Sequence, residues 1–195
     1  MDLEKKISTD IAAVTIMNLA RKVRSFLFIP IITNGLNISS YGAFAQLIVI
    51  TGVLTQTSSL GLPGALVRYG QDSVLNYRSL YSSLMLVSLL VSVLIGSIIF
   101  LLSLNITKLF LGTNQFQHVF LIGAFLIPIR VLFQMSESYL RSKMRIKAAS
   151  VLSTGRYYVA ILGASAAIYI FNTDIEGVIM SIVILEGIFT LILQL

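Results

Sequence analysis

Cysteine and tryptophan are absent from this 195-residue chain, histidine occurs once, and Asp and Glu together number eight. Without cysteine there is no disulfide, no thiolate nucleophile and no thiolate metal site. His118, the single histidine, has no carboxylate cluster at ligand spacing around it. Glycine-rich phosphate loops and the serine nucleophile elbow are also missing. No enzyme chemistry, cofactor or metal is therefore expected. Charge is scarce as well: 11% of residues are charged and 56% are hydrophobic, with a mean hydropathy of +0.92. Soluble domains carry about 25% charged residues. Too little polar surface exists here to cover a soluble core, so the chain reads as an integral membrane protein.

What it does have is a series of apolar runs long enough to cross a bilayer, which takes roughly 20 helical residues. Six spans are expected, near 11–33, 43–67, 79–102, 116–137, 148–171 and 177–195, giving an all-α fold of six transmembrane helices in one bundle. The opening "MDLEKKISTD" mixes acids with lysines and lacks a following cleavage site, so the first span is expected to be retained. Between spans lie "NGLNISS", "RYGQDSVLNYR", "LNITKLFLGTN", "YLRSKMRIKA" and "NTDIE", all loop-like in composition. The net charge of +6 resides in these connections, which argues against nucleic acid as a partner. Lys5, Lys6, Arg68, Arg78, Arg141, Lys143, Arg145 and Lys147 fall on one side of the alternation, and only Lys108 falls on the other. The bias predicts a cytoplasmic N-terminus.

The first span is anomalous. "NLARKVRSFL" places Arg21, Lys22 and Arg24 inside it. A span starting after Arg24 would keep only residues 25–33, roughly 14 Å at about 1.5 Å each. That is about half the hydrocarbon thickness. With the cations inside, the eleven Leu, Ile, Val and Phe of 11–33 return about 3–7 kcal/mol against a cost of roughly 8–10 for three central cations. Two solutions stay open. The charged side faces a hydrated cavity, or the helix lies shallow and its cations snorkel to headgroups. Thr15, Asn18, Lys22 and Ser25 follow helical steps with Arg21 and Arg24 beside them, which favours a single polar side.

Other ionisable groups fall within spans. Arg130, Gln134 and Glu137 share a face of the fourth, so Arg130 is either an inward cation or the partner of Glu137. Arg156, early in the fifth, is expected to snorkel toward the cytoplasm. Glu186, midway along the sixth, needs a partner or a proton, and pairing with Arg24 or Arg130 is expected. Pro30, Pro63 and Pro128 all lie in spans and are expected to bend them. Ser88, Ser92 and Gly96, and Ala160, Gly163, Ala164 and Ala167, repeat at four-residue spacing and read as close helix packing.

Three stretches together carry a resemblance: "FLFIPIITNGLNISSYGAFAQLI", "LGLPGALVRYG" and "YLRSKMRIKAAS", with Tyr41-Gly42, Leu60-Gly61-Leu62, Ala65, Arg68 and the basic segment Leu140 to Lys147. In order and spacing the chain resembles the N-terminal half of bacterial lipid-linked oligosaccharide flippases. These belong to the multidrug/oligosaccharidyl-lipid/polysaccharide exporter superfamily. The resemblance implies two facing six-helix bundles working by alternating access in the bacterial cytoplasmic membrane. The implied cargo is an undecaprenyl-diphosphate-linked oligosaccharide, such as an O-antigen or capsule unit. Arg21, Lys22 and Arg24 match that group's cationic cavity, and Arg130 joins them by position. Only a first bundle is present, and "FTLILQL" ends it without a polar flank. An incomplete domain is therefore expected, its opposing wall supplied by a second six-helix bundle, with polysaccharide polymerase machinery as a further partner. Two alternatives remain: a non-transporting half serving as an assembly subunit, and a multidrug cation exporter, which would want an acidic cavity.

Overall fold

In the computed structural model the described residues are 2–69 and 77–194. Side chains of the first helix are described from Thr15 onward, except those of Arg21, Arg24, Ser25 and Leu27. Every regular element among them is helical: α1 (Asp2–Gly35), α2 (Ile38–Ser58), α3 (Leu62–Tyr69), α4 (Tyr77–Leu101), α5 (Ser103–Leu111), α6 (Gln117–Gly123), α7 (Leu126–Ser142), α8 (Ile146–Tyr169) and α9 (Ile175–Gln194).

The expected six spans become five on length and composition: α2, α4, α6 with α7, α8 and α9. The exception is α1. At 34 residues it is long enough, but every 18-residue stretch of it holds at least three charges, and Arg21, Lys22 and Arg24 are the reason toward its C-terminal end. Its placement is nonetheless that of a helix running alongside a span. Tyr158 Oη donates to the Ala20 carbonyl (3.2 Å) and Tyr169 Oη to the Ile31 carbonyl (3.5 Å). Both bonds join residues 138 apart, so α1 and α8 run parallel and in step. Arg21, Lys22 and Arg24 therefore lie level with residues 159–162, past the middle of α8.

Two expected spans are interrupted, each for a local reason. The second stops at Ser58, because Leu60 (φ +50°) and Gly61 (φ +70°) turn the chain before α3. Pro63 thus sits in the first turn of α3, where a missing N–H is harmless, rather than inside a span. The fourth breaks between α6 and α7. A proline ring collides with the carbonyl four residues back, here Ala124, and that carbonyl instead accepts from Ile127 N at 3.2 Å. Pro30 lies within a continuous α1.

The small-residue stripes pack as expected. Ser88, Ser92 and Gly96 are buried on α4, and Gly96 faces the Ala124 carbonyl and Pro128. Gly163 of α8 lies so close to α9 that a Cβ there would meet Leu185 Cδ1 at 2.6 Å. The Ser hydroxyls bond their own backbone, Ser88 to Met85 O and Ser92 to Leu89 O, so their protons are satisfied inside the packed interface.

Helix ends sort by charge. Tyr77 Oη pairs with Ser142 Oγ, and Tyr81 reaches Gln194. These contacts bring the start of α4, the end of α7 and the end of α9 to one end of the bundle. That end also carries Arg68, Arg78, Arg141, Lys143, Arg145 and Lys147. The opposite end has Lys108, His118, Asp174 and Glu176. The interior divides the same way. Toward the opposite end the core is apolar, built from Ile32, Leu36, Phe44, Leu47, Phe120, Ile168 and Ile179. Toward the basic end the buried residues are largely polar: Thr51, Thr55, Ser58, Ser138, Ser153, Thr154, Arg156, Glu186 and Thr190.

Candidate functional site

Where the apolar core gives way to polar residues, a cavity of about 260 Å³ opens among α1, α2, α7, α8 and α9. Phe28 and Phe44 stand at one side with ring centroids 5.7 Å apart. Arg130, Gln134, Arg156 and Glu186 supply its polar wall, together with Thr55.

Helix α2 is apolar on average yet carries Thr51, Thr55 and Ser58 at i, i+4 and i+7, all buried on one face. Their hydroxyls donate back along the helix, Thr51 to Leu47 O (2.8 Å), Thr55 to Thr51 O (2.7 Å) and Ser58 to Leu54 O (2.6 Å). Such back-bonding satisfies the hydroxyl proton and leaves an oxygen lone pair for another donor. Thr51 uses it: Arg130 Nη1 donates to Thr51 Oγ1 at 3.2 Å. The other edge of the Arg130 guanidinium grips Glu186, Nε to Oε2 at 3.2 Å and Nη2 to Oε1 at 3.4 Å. This two-pronged pair matches guanidinium to carboxylate geometry and ties α2, α7 and α9 through one side chain. Pairing of Glu186 with Arg130 is one of the two options expected from sequence. Glu137, the rival partner, turns away and takes Arg141 at 2.6 Å.

Arg156 departs from expectation. It does not snorkel; it is 8% exposed, with its guanidinium carbon 4.4 Å from the Phe133 ring centroid and 4.9 Å from that of Tyr157. Stacking on aromatic faces suits the weakly hydrated guanidinium. It also leaves donors over: among the described residues Arg156 Nε and Nη1 are buried with no hydrogen-bond partner, and so are Gln134 Oε1 and Thr154 Oγ1. A buried unpaired donor costs about 1–3 kcal/mol, more on a charged group. The site holds one buried guanidinium, Arg156, one partly buried guanidinium, Arg130, and one carboxylate, which already serves Arg130.

Of the residues expected from sequence, Arg130 lines the cavity. Lys22 is exposed and is not among the lining residues. The side chains of Arg21 and Arg24 lie outside the described residues. Sequence reasoning did not single out Thr51, although the buried Thr51/Thr55/Ser58 periodicity in a helix otherwise free of charge was the available signal.

No curated protein and no solved structure matches this chain. A family model does, across residues 7–194, nearly the whole length, and its description is polysaccharide biosynthesis protein. With its apolar helices, the chain is a multi-pass membrane protein and belongs to the polysaccharide biosynthesis protein family.

Proposed function

We propose that this protein is a flippase. It moves an undecaprenyl-diphosphate-linked oligosaccharide from the cytoplasmic to the outer leaflet by alternating access, as a carrier that makes and breaks no covalent bond. The observation that carries the reading is Arg156: a buried guanidinium at a cavity wall, with two donor nitrogens lacking acceptors among the described residues. A phosphate oxygen is the acceptor that satisfies such a group best, through short charge-assisted hydrogen bonds. Arg130 adds positive charge nearby, and its bond to Glu186 holds it in place.

Net charge separates this reading from cation export. The described lining residues carry two guanidiniums and one carboxylate, a surplus of one positive charge, where a cation site would be acidic. Size separates headgroup from sugar. Cavities that enclose a small ligand run from about 300 to 1,000 Å³, so 260 Å³ takes a diphosphate and leaves the oligosaccharide outside it. The sugars then lie toward the basic end and against a second six-helix bundle.

Helix α1 contributes at the same depth. Arg21 and Arg24 precede the cavity-lining Phe28 by seven and four residues along α1. The parallel register sets them within about two turns of the level of Arg156. In this arrangement the basic end is cytoplasmic, the polar half of the interior opens that way, and the apolar core closes the outer end. Rocking of the two bundles would reverse the exposure.

The test is glycan export in host cells lacking their native copy, with membrane levels of the protein checked in parallel. Arg156→Ala and Arg24→Ala are expected to lower surface glycan at least tenfold and to leave lipid-linked precursor at the cytoplasmic face. Losing one partner of a desolvated charged contact costs about 2–5 kcal/mol. Arg156→Lys, which keeps the charge without the planar fork, should recover only part. Normal surface glycan in both alanine variants would remove the basis for the reading.

A further inference from the structure

A second polar cavity, of about 770 Å³, lies at the basic end between α4 and α9, with α7 as its floor. It is separate from the first: the two share no lining residue. Tyr139 packs its ring against Tyr77 and Tyr81 along it in tilted pairs, with centroids 5.5 Å apart for Tyr77 and Tyr139 and 4.9 Å for Tyr81 and Tyr139. Lys143 holds its Nζ 3.8 Å from the Tyr77 ring centroid, and Arg78 lines the same space. The ion pairs among the described residues are Arg130–Glu186 and Arg141–Glu137, so neither Arg78 nor Lys143 has a carboxylate partner there. Gln194 donates to Ser136 Oγ (2.5 Å) and accepts from Tyr81, fixing the inner wall. Ser82, Leu140, Leu152 and Leu193 complete the lining. Beyond them the outer faces of α4 and α9 are apolar and exposed, through Leu86, Leu90, Ile188 and Leu191.

The geometry points to a binding site for an anionic phospholipid. Two cations without a carboxylate partner among the described residues meet the phosphate at a helix-end level, tyrosine and serine hydroxyls meet the glycerol headgroup, and the leucines lead into the acyl region. Tyrosine rings at a membrane interface and basic pockets between spans recognise this combination. A bilayer lipid reaches the site sideways between α4 and α9 without entering the translocation cavity. The occupant is therefore a resident lipid, distinct from the cargo.

The tryptophan-free chain provides the reporter. Leu152→Trp is made in the full-length protein and reconstituted into vesicles of phosphatidylcholine containing brominated phosphatidylglycerol or, at equal bromine, brominated phosphatidylcholine. Bromine on a neighbouring acyl chain quenches the indole. The expected result is a relative affinity about ten- to thirtyfold in favour of phosphatidylglycerol, from two interfacial cations. Adding Arg78→Gln and Lys143→Gln should bring the ratio to about one, with quenching by brominated phosphatidylcholine unchanged as the sign of an intact fold. Equal quenching by both lipids in the parent, or a preference that survives the double substitution, overturns the assignment. So does relief of the quenching by a few mole per cent of polyprenyl diphosphate, which would make the site one for cargo. Arg156→Ala in the same background is expected to leave the lipid preference unaltered, which keeps this test independent of the transport reading.

Discussion

Removing Glu186 is the most direct way to ask whether the cavity's charges are arranged as described. The carboxylate is 3% exposed and the Arg130 side chain 14% exposed, and they meet through two contacts of 3.2 and 3.4 Å. Breaking a buried pair by deleting one partner costs about 3–5 kcal/mol, because the other charge is left uncompensated. Two features lower that figure here. Thr51 still accepts from Nη1, and the cavity lets water reach the freed guanidinium. Glu186→Met should therefore destabilise by about 2–3 kcal/mol, roughly a 30- to 150-fold shift in the folding equilibrium. Arg130→Met should cost a similar amount, since it strands the carboxylate. The double variant Arg130→Met/Glu186→Met strands nothing and should lose much less than the two single variants together. The assay is reversible unfolding in mixed detergent micelles, followed by far-ultraviolet circular dichroism across the full double-mutant cycle. A coupling energy of about 1–3 kcal/mol is expected for groups in direct contact. Single effects that add within about 0.5 kcal/mol would show that the pair does not hold α7 to α9.

Two further outcomes check the frame around the site. The natural absence of cysteine makes single-cysteine labelling clean. Asn172→Cys at the α8–α9 turn should react with an impermeant maleimide in intact cells, and Met144→Cys at the α7–α8 turn only after permeabilisation; the reverse pattern would invert the proposed orientation. Gly163→Val should weaken the α8–α9 contact by about 1–3 kcal/mol, because its side chain would overlap Leu185, and a neutral result in the same unfolding assay would show that the helices sit farther apart.

The sequence made some of this legible for clear reasons. The charge separation of the two ends depends on Lys and Arg summed over whole connections, so errors of a few residues in span boundaries do not disturb it. The Arg130–Glu186 bond was within reach because a buried glutamate has few alternatives to a cation. Arg156 was misjudged, since its linear distance from the basic turn fits snorkelling equally well. Only the placement of Phe133 and Tyr157 decides that it turns inward. The break at Leu60–Gly61 was hidden inside a long apolar run, where hydropathy stays high whether or not the backbone continues as a helix, whereas the one ahead of Pro128 was signalled by the proline as a bend. On length and composition five of the six expected spans stand, and α1 falls short for the physical reason that made it interesting, its three clustered cations.

The alignment of α1 on α8 has a consequence for a cargo that is half water-loving and half oil-loving. Along its described length α1 leans chiefly on one neighbour, and it meets α2 through the turn joining them and the Phe28–Phe44 rings. A prenyl tail cannot follow its phosphates into a polar chamber and must trail sideways into the membrane while the head travels. In the transport proposed above, the seam between the first two helices, joined at its far end by their turn and bridged by the Phe28 and Phe44 rings, is where such a tail would pass.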